Sequence, residues 1–84
     1  MKVYVTILEW CFDGDRDFQY TIHDSLEKAQ EKLEQLKQEE FANSWINAIE
    51  NIEDLENYED TLNYFDCDDF DRRTTIWIEE KVVE

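Results

Sequence analysis

Proline is absent from this chain of 84 residues, and it contains only one glycine, one histidine and two cysteines. A single glycine cannot form the glycine-rich loop that cradles phosphates in many nucleotide-binding proteins. Two cysteines are too few for the disulfide framework of a small secreted protein. Together with His23 they also lack the short Cys-x-x-Cys spacing of zinc sites. We therefore expect no cofactor and no structural metal.

Basic residues are also scarce, with eight lysines and arginines against 23 acidic residues, and they are unevenly placed. No basic residue occurs between Lys37 and Arg72, a stretch that carries twelve of the acidic residues. We call residues 38–71 the acidic block. Contacts with phosphates require lysine and arginine, so this composition opposes direct binding of nucleic acid. A partner of positive charge is expected instead.

Long hydrophobic runs are missing as well, because no stretch approaches the roughly 18 apolar residues that span a membrane. The chain nevertheless has a hydrophobic share of 42%, with three Trp, four Tyr and five Phe. Disordered chains are poor in such aromatic residues, and a chain this short sustains only one core. The first residues do not resemble a signal peptide. We expect a single domain over residues 1–84, unprocessed, cytosolic and without a membrane partner.

The N-terminal segment has the alternating pattern of a β-hairpin. β-Branched and aromatic residues fill positions 3–10, and apolar and polar residues alternate again over 18–22. Between them Asp13-Gly14 can form a tight turn, in which glycine takes positive φ without steric cost. A hairpin of about residues 2–23 is predicted. Because its first strand is apolar on both faces, that strand should be central in a sheet.

A helix is predicted next, beginning after Asp24 or Ser25 and ending near Glu40. Asp24 and Glu27 have the spacing of a capping box. Apolar residues then recur every three or four positions, as on one face of a helix: Leu26, Ala29, Leu33 and Leu36.

The helical period continues beyond Glu40, although its phase slips there and the weak helix formers Asn43 and Ser44 follow. A break near residues 40–41 is therefore expected. A second helix is predicted from the spacing of the apolar residues that follow it: Phe41, Trp45, Ala48, Ile49, Ile52 and Leu55. Tyr58, Leu62 and Phe65 suggest a third short helix over about residues 57–65.

Residues 66–71 have the composition of an acidic loop, and the β-branched run over 74–83 predicts a final strand. The predicted fold class is α+β. It comprises a three-stranded antiparallel sheet of order 2-1-3, formed by the N-terminal β-hairpin and the C-terminal strand. Two or three helices pack on one face of this sheet.

Catalytic and metal sites have weak support in the sequence. Asp13, Asp15 and Asp17 have the spacing of a calcium loop, but Phe18 occupies the position where that loop requires glycine. The aspartates of residues 66–71 could attract a divalent cation only weakly. Carboxylate pairs are unavoidable in so acidic a chain, and His23 is the only histidine. We therefore expect a protein that is not an enzyme and holds no metal.

The acidic block supplies the predicted site. Acidic residues four apart on a helix lie about 6 Å apart along its axis, on the scale of the phosphate repeat of a nucleic-acid strand, and Tyr58 and Tyr64 could anchor an interface. The remainder of the chain is expected to be the scaffold. The predicted partner-binding residues are Glu50, Glu53, Asp54, Glu56, Tyr58, Glu59, Asp60, Tyr64, Asp66, Asp68, Asp69 and Asp71.

In charge and size the chain is similar to the small acidic DNA mimics of phages and mobile elements. Proteins of that kind block restriction, CRISPR or repair enzymes. The similarity implies a non-enzymatic inhibitor that occupies the basic nucleic-acid site of a partner protein. The alternative is a structural or regulatory adaptor that self-associates as a homodimer, in which the acidic residues serve solubility alone.

Overall fold

The computed structural model of the protein describes residues 1–49, 53, 55–69 and 71–84. Within them the chain forms a five-stranded antiparallel sheet of order β2-β1-β5-β4-β3, with one α-helix packed on it and a 3-10 helix after that α-helix. The elements in chain order are β1 Lys2–Phe12, β2 Asp15–His23, α1 Leu26–Asn43, the 3-10 helix Trp45–Ala48, β3 Asn57–Asp60, β4 Tyr64–Asp69 and β5 Arg72–Val82.

The hairpin expected at residues 2–23 is confirmed. Phe12 pairs with Asp15 across a two-residue turn, in which Asp13 and Gly14 have φ values of 49° and 89°. Positive φ at both central positions is the geometry that matches the twist of two neighbouring strands. The turn therefore fixes the register of β2 on β1.

Helix α1 begins at Leu26 and is capped by Ser25, whose side chain accepts a hydrogen bond of 3.2 Å from the Lys28 amide. Its apolar stripe turns Ala29, Leu33 and Leu36 into the interior. Two polar contacts also join it to β1. The Thr6 hydroxyl donates to the Ala29 carbonyl at 2.9 Å, and Trp10 Nε1 donates to the Glu40 carboxylate at 2.7 Å.

The core lies between α1 and one face of the sheet. Successive side chains of a strand point to opposite faces, and the residues of β1, β5 and β4 that meet α1 are Leu8, Ile76 and Phe65, each 1% exposed or less. Phe41 packs edge-on against Phe65 with ring centroids 5.8 Å apart. We call this the covered face, and the opposite side of the sheet the open face.

The predicted fold class is wrong in the number of strands and of helices. Within the described residues the sheet has five strands instead of three, and one α-helix replaces the predicted two or three. β1 does lie between β2 and the C-terminal strand β5. Where the third helix over 57–65 and the loop over 66–71 were predicted, residues 57–60 and 64–69 instead form the antiparallel pair β3 and β4.

Tyr58, Leu62 and Phe65 have the sequence spacing of one helical face, but they belong to a hairpin. Tyr58 and Phe65 face the same side of neighbouring strands, with ring centroids 5.9 Å apart, while Leu62 lies in the turn and is 75% exposed. The aspartates of β4 are poor strand formers. Their pairing with Arg72 and Arg73 of β5 compensates for that preference.

The predicted second helix is also wrong over the part that is described. Helix α1 extends to Asn43, and the break falls at Ser44, slightly later than expected. The Ser44 amide still donates to the Glu40 carbonyl at 3.1 Å, as within a helix, and the Ser44 hydroxyl donates to the same carbonyl at 2.7 Å. The helix ends because the Ser44 backbone is extended, with φ -111° and ψ -172°. A single 3-10 turn follows, and Ile52 lies outside the described residues. None of the helices in the described ranges has the length and apolar character needed to cross a membrane.

Candidate functional site

The residues of the predicted partner-binding site are divided between the surface and the interior. Glu50 and Asp54 lie outside the described residues. Five acidic members are exposed, namely Glu53, Glu56, Glu59, Asp60 and Asp71. Glu59 and Asp60 belong to β3, which forms one edge of the sheet. Glu59 and Asp60 therefore lie on an edge strand and not on the predicted helical face, whereas Asp71 lies just before β5, where its carbonyl accepts from the Asp13 amide at 2.9 Å.

Asp66 points to the open face but is fully buried there by its neighbours, with 0% of its surface exposed. Its Oδ1 accepts hydrogen bonds from Arg73 Nε at 3.1 Å and from the Thr75 hydroxyl at 2.9 Å. Its Oδ2 accepts from Asn57 Nδ2 at 2.7 Å. The hydrogen bond with Asp66 raises the pKa of the Arg73 guanidinium above its usual value. This carboxylate thus joins β3, β4 and β5.

The other two aspartates of β4, Asp68 and Asp69, are half-buried. Asp69 is paired within the protein, because its Oδ2 accepts from Arg72 Nη2 at 2.7 Å. Arg72 also lies over the Trp45 ring, 4.8 Å from the ring centroid, and Trp45 Nε1 donates to Thr74. Asp69 is therefore part of the contacts that position the 3-10 helix.

The two predicted tyrosine anchors are half-buried. Tyr58 faces the core and touches Phe65, and its hydroxyl donates to Asp60 Oδ2 at 3.4 Å. Burial, followed by the nearby Asp60 carboxylate, raises the pKa of Tyr58. Tyr64 lies on the open face beside Trp77 of β5. The two rings consequently belong to opposite sides of the sheet.

A shallow groove of about 590 Å³ lies between helix α1 and the end of β3. It is lined by Glu27, Gln30, Glu31, Glu34, Lys37, Asp60, Thr61 and Leu62. Four carboxylates and one ammonium group therefore converge there, which makes the groove acidic. We call it the acidic groove.

Lys37 holds the two walls of the acidic groove together. Its Nζ lies 2.7 Å from Glu34 Oε2 and 3.1 Å from Asp60 Oδ1. Although burial lowers the pKa of Lys37, the hydrogen bonds with Glu34 and Asp60 outweigh that effect and raise it. The hydrogen bond between Lys37 and Glu34 also lowers the pKa of Glu34. A second contact, from Gln30 Nε2 to Asn63 Oδ1 at 2.7 Å, joins α1 to the β3–β4 turn.

The basic side chains of the protein are largely matched with carboxylates. Seven of the eight lie within 4.0 Å of an acidic side chain, namely Lys2, Arg16, Lys28, Lys37, Arg72, Arg73 and Lys81. Most of these pairs are exposed and contribute little to stability. They do, however, place positive charge beside negative charge and leave the remaining acidic residues to dominate the surface potential.

Sequence reasoning missed Glu27, Glu31 and Glu34, because α1 was regarded as scaffold. The signal was available, since these glutamates follow one another at spacings of four and three residues on the polar side of the predicted helix. Their closeness to Asp60 was not available, because it depends on β3 being a strand that ends beside α1.

Metal ligation has no geometric support among the described residues, which contain no group of three or more His, Cys, Asp or Glu side chains placed to hold an ion. The calcium-like spacing of Asp13, Asp15 and Asp17 lies at the tip of the β1–β2 hairpin. Comparison of the chain with protein-family models, with curated proteins and with solved structures found no match.

Proposed function

We propose that the protein is a non-enzymatic inhibitor whose acidic surface occupies the basic nucleic-acid site of a partner protein. The observation that carries the proposal is the convergence of Glu27, Glu31, Glu34 and Asp60 on one groove. The exposed residues Glu56 and Glu59, at and beside β3, extend the acidic surface along the sheet edge.

The spacing of the groove carboxylates suits a surface that normally holds phosphates. Along α1, Glu27, Glu31 and Glu34 are separated by about 6 Å and about 4.5 Å of axial rise. Duplex DNA carries one charge per roughly 1.7 Å of axis when both strands are counted. The protein therefore offers a sparser polyanion, on a helix that its contacts with β1 hold in place.

The net charge of -15 supports a partner of positive charge. A strongly charged surface steers an oppositely charged partner toward it and accelerates association, and this effect weakens as salt is added. A nucleic acid would be repelled by the same field. Suitable partners are nucleic-acid-binding enzymes with a basic channel, such as restriction, CRISPR or repair enzymes.

The proposed place of action is the cytosol. Cys11 and Cys67 are both free thiols, as is usual for proteins of a reducing compartment.

The experiment is recovery of partners from a host lysate on immobilised protein at low salt, followed by elution with duplex DNA. We expect a basic nucleic-acid-binding protein that duplex DNA displaces. Recovery only of proteins that DNA does not displace would contradict the proposal. As a matched pair, the Glu27→Gln/Glu31→Gln variant should recover less of this partner than the wild type does, whereas Asp13→Asn/Asp15→Asn should recover as much. Both variants remove two negative charges, but the second removes them at the hairpin tip.

A further inference from the structure

Strand β2 forms the edge of the sheet opposite β3, and it lacks the usual protection of an edge strand. Edge strands of monomeric proteins are typically short, charged or interrupted by proline or a bulge. β2 instead runs for nine residues, and its centre presents Phe18, Tyr20 and Ile22 with 61%, 60% and 61% of their surfaces exposed. Such a strand is suited to pairing with another chain.

The backbone of β2 also has groups directed away from the sheet. In an antiparallel pair, residues alternate between exchanging hydrogen bonds with the partner strand and facing outward. The two-residue turn between Phe12 and Asp15 sets this alternation, so that Phe18, Tyr20 and Ile22 direct their N–H and C=O groups outward. Consistent with this direction, the Phe18 amide donates to Asp17 Oδ1 at 2.8 Å.

The exposed side chains of β2 continue an apolar surface on the open face. Tyr20 lies beside Ile7, Ile7 beside Trp77, and Trp77 beside Tyr64, in a row that crosses four strands. The described helices pack on the covered face, so they do not cover this row of side chains. The row ends at the edge strand β2, where another strand could extend the sheet.

We propose that two copies of the protein associate by antiparallel pairing of their β2 strands, which joins two sheets into one of ten strands. A two-fold axis at Gln19 brings all nine residues of β2 into register with the second copy. Phe18 then lies opposite Tyr20 of the second copy on the open face. Aromatic cross-strand pairs of this kind stabilise sheets.

The polar residues of β2 complement themselves in the same register. Asp15 lies opposite His23 of the second copy, Asp17 opposite Thr21, and Arg16 opposite Ile22, so no like charges face each other. β2 carries only Asp15, Arg16 and Asp17 as charged residues, apart from His23. This self-complementarity favours a second copy as the occupant of the edge over an unrelated strand.

The distance of the acidic strand β3 from β2 permits this association despite the net charge. β3 lies four strand positions from β2, which is about 19 Å at about 4.8 Å per strand. Charges separated by more than the screening length, about 8 Å at physiological salt, interact weakly. Pairing through β2 therefore leaves the two β3 strands at the far ends of the joined sheet. The acidic groove remains accessible in the dimer, and neither proposal depends on the other.

Sedimentation equilibrium over a concentration series tests the proposal with Tyr20→Pro and Tyr20→Ala. Both substitutions remove the ring, but only proline removes the outward N–H, and proline is tolerated on an edge strand where that group faces solvent. We expect dimerisation of the wild type, weaker dimerisation of Tyr20→Ala, and a monomeric Tyr20→Pro. Leu62→Ala, which removes an exposed apolar residue beside the opposite edge, should dimerise as the wild type does.

Equal weakening by proline and alanine would overturn edge pairing and indicate packing through the open face. A wild type that stays monomeric up to about 1 mM, equivalent to less than about 4 kcal/mol of association, would overturn the proposal altogether. If Tyr20→Pro fails to fold, amide hydrogen exchange of the wild type decides. The Tyr20 and Ile22 amides should exchange more slowly as protein concentration rises, and exchange independent of concentration would overturn the proposal.

Discussion

At one edge of the sheet β3 contributes four residues, including Glu59 and Asp60, and at the other β2 contributes nine, with three exposed apolar side chains. The β3 edge is short and charged, which are the features that prevent strands from pairing with other chains. The β2 edge has neither feature at its centre. The contrast teaches that exposed charge and exposed apolar surface are concentrated at opposite edges of one sheet, so the two proposed associations would use separate surfaces.

The two edges should also respond oppositely to salt. Binding of a basic protein at the acidic groove depends on charge and weakens as salt screens it. Pairing of apolar β2 strands brings together two chains of the same net charge, so screening should leave it unchanged or strengthen it. Salt dependence therefore assigns any observed association to one edge or the other.

The largest effect is expected from Asp66→Asn, which breaks the attachment of the β3 edge. Asparagine cannot match the charge of Arg73, and its amide group cannot accept hydrogen bonds from both sides as the carboxylate does. The Arg73 side chain is 47% exposed, which weakens the ion pair, so the main cost is the loss of hydrogen bonds to a buried charged group, about 1.5 to 3 kcal/mol. Urea unfolding followed by tryptophan fluorescence should show a loss of about 2 kcal/mol in the free energy of unfolding.

Asp68→Asn is the matched control for this change, because it removes one charge from the same strand at a half-buried position. It should cost less than about 1 kcal/mol. Dimerisation through β2 should persist in both variants. Equal losses of stability would show that the position of Asp66 in the network is unimportant.

A smaller effect is expected from Glu27→Gln/Glu31→Gln, which removes two charges from the acidic groove. The affinity for a basic partner should fall about tenfold, equivalent to about 1.4 kcal/mol. The free energy of unfolding should change by less than about 0.5 kcal/mol, because relief of the repulsion between like charges four residues apart is offset by loss of the favourable negative charge of Glu27 in the first turn of α1. Calorimetry of binding and thermal unfolding measure the two quantities, and a larger loss of stability would assign these glutamates a structural role.

The smallest expected effect is a difference in reactivity between the two thiols. Each thiol lies on the strand next to one edge of the sheet. Cys67 of β4 pairs with Tyr58 of β3 and is 0% exposed, whereas Cys11 of β1 pairs with Arg16 of β2 and is half-buried. Burial, followed by Asp66, Asp69 and Asp68, raises the pKa of Cys67 from 9.0 to about 11. Dithionitrobenzoate should therefore modify Cys11 first, with Cys67 reacting only on unfolding.

The raised pKa of Cys67 also has a consequence for stability. The unfolded thiol ionises near pH 9.0 while the folded thiol stays protonated to about pH 11. Its contribution to stability is therefore complete below the unfolded pKa and is lost as pH rises through the folded pKa. A Cys67→Ala variant should lack this alkaline decline in denaturation experiments, and fast reaction of both thiols in the folded protein would contradict the burial argument.

The part of the fold that depends on local chemistry was predictable from the sequence. Asp13-Gly14 identified the first turn, and the spacing of Ala29, Leu33 and Leu36 identified α1, because turn geometry and helical periodicity are local. The β3–β4 hairpin was not predictable in this way. Its aspartates disfavour strands, and their pairing with Arg72 and Arg73 on β5, a contact between separate strands, compensates for that preference.

The charge of the region was predictable, because the gap between Lys37 and Arg72 defines the acidic block from composition alone. Three of the four carboxylates of the acidic groove lie outside that block, and the burial of Asp66 and the pairing of Asp69 depend on β5. The exposed apolar surface of β2 was not predictable either, because a sequence alternation does not tell which face of a sheet its helix covers.

The most direct test of the proposed function measures the affinity of a recovered basic partner for the protein across a salt series, with and without saturating duplex DNA. We predict that affinity falls steeply from about 0.1 M to about 1 M salt, over which the screening length shortens from about 10 Å to about 3 Å. We also predict that saturating DNA abolishes binding. Salt-independent binding, or a ternary complex of protein, partner and DNA, would contradict the account.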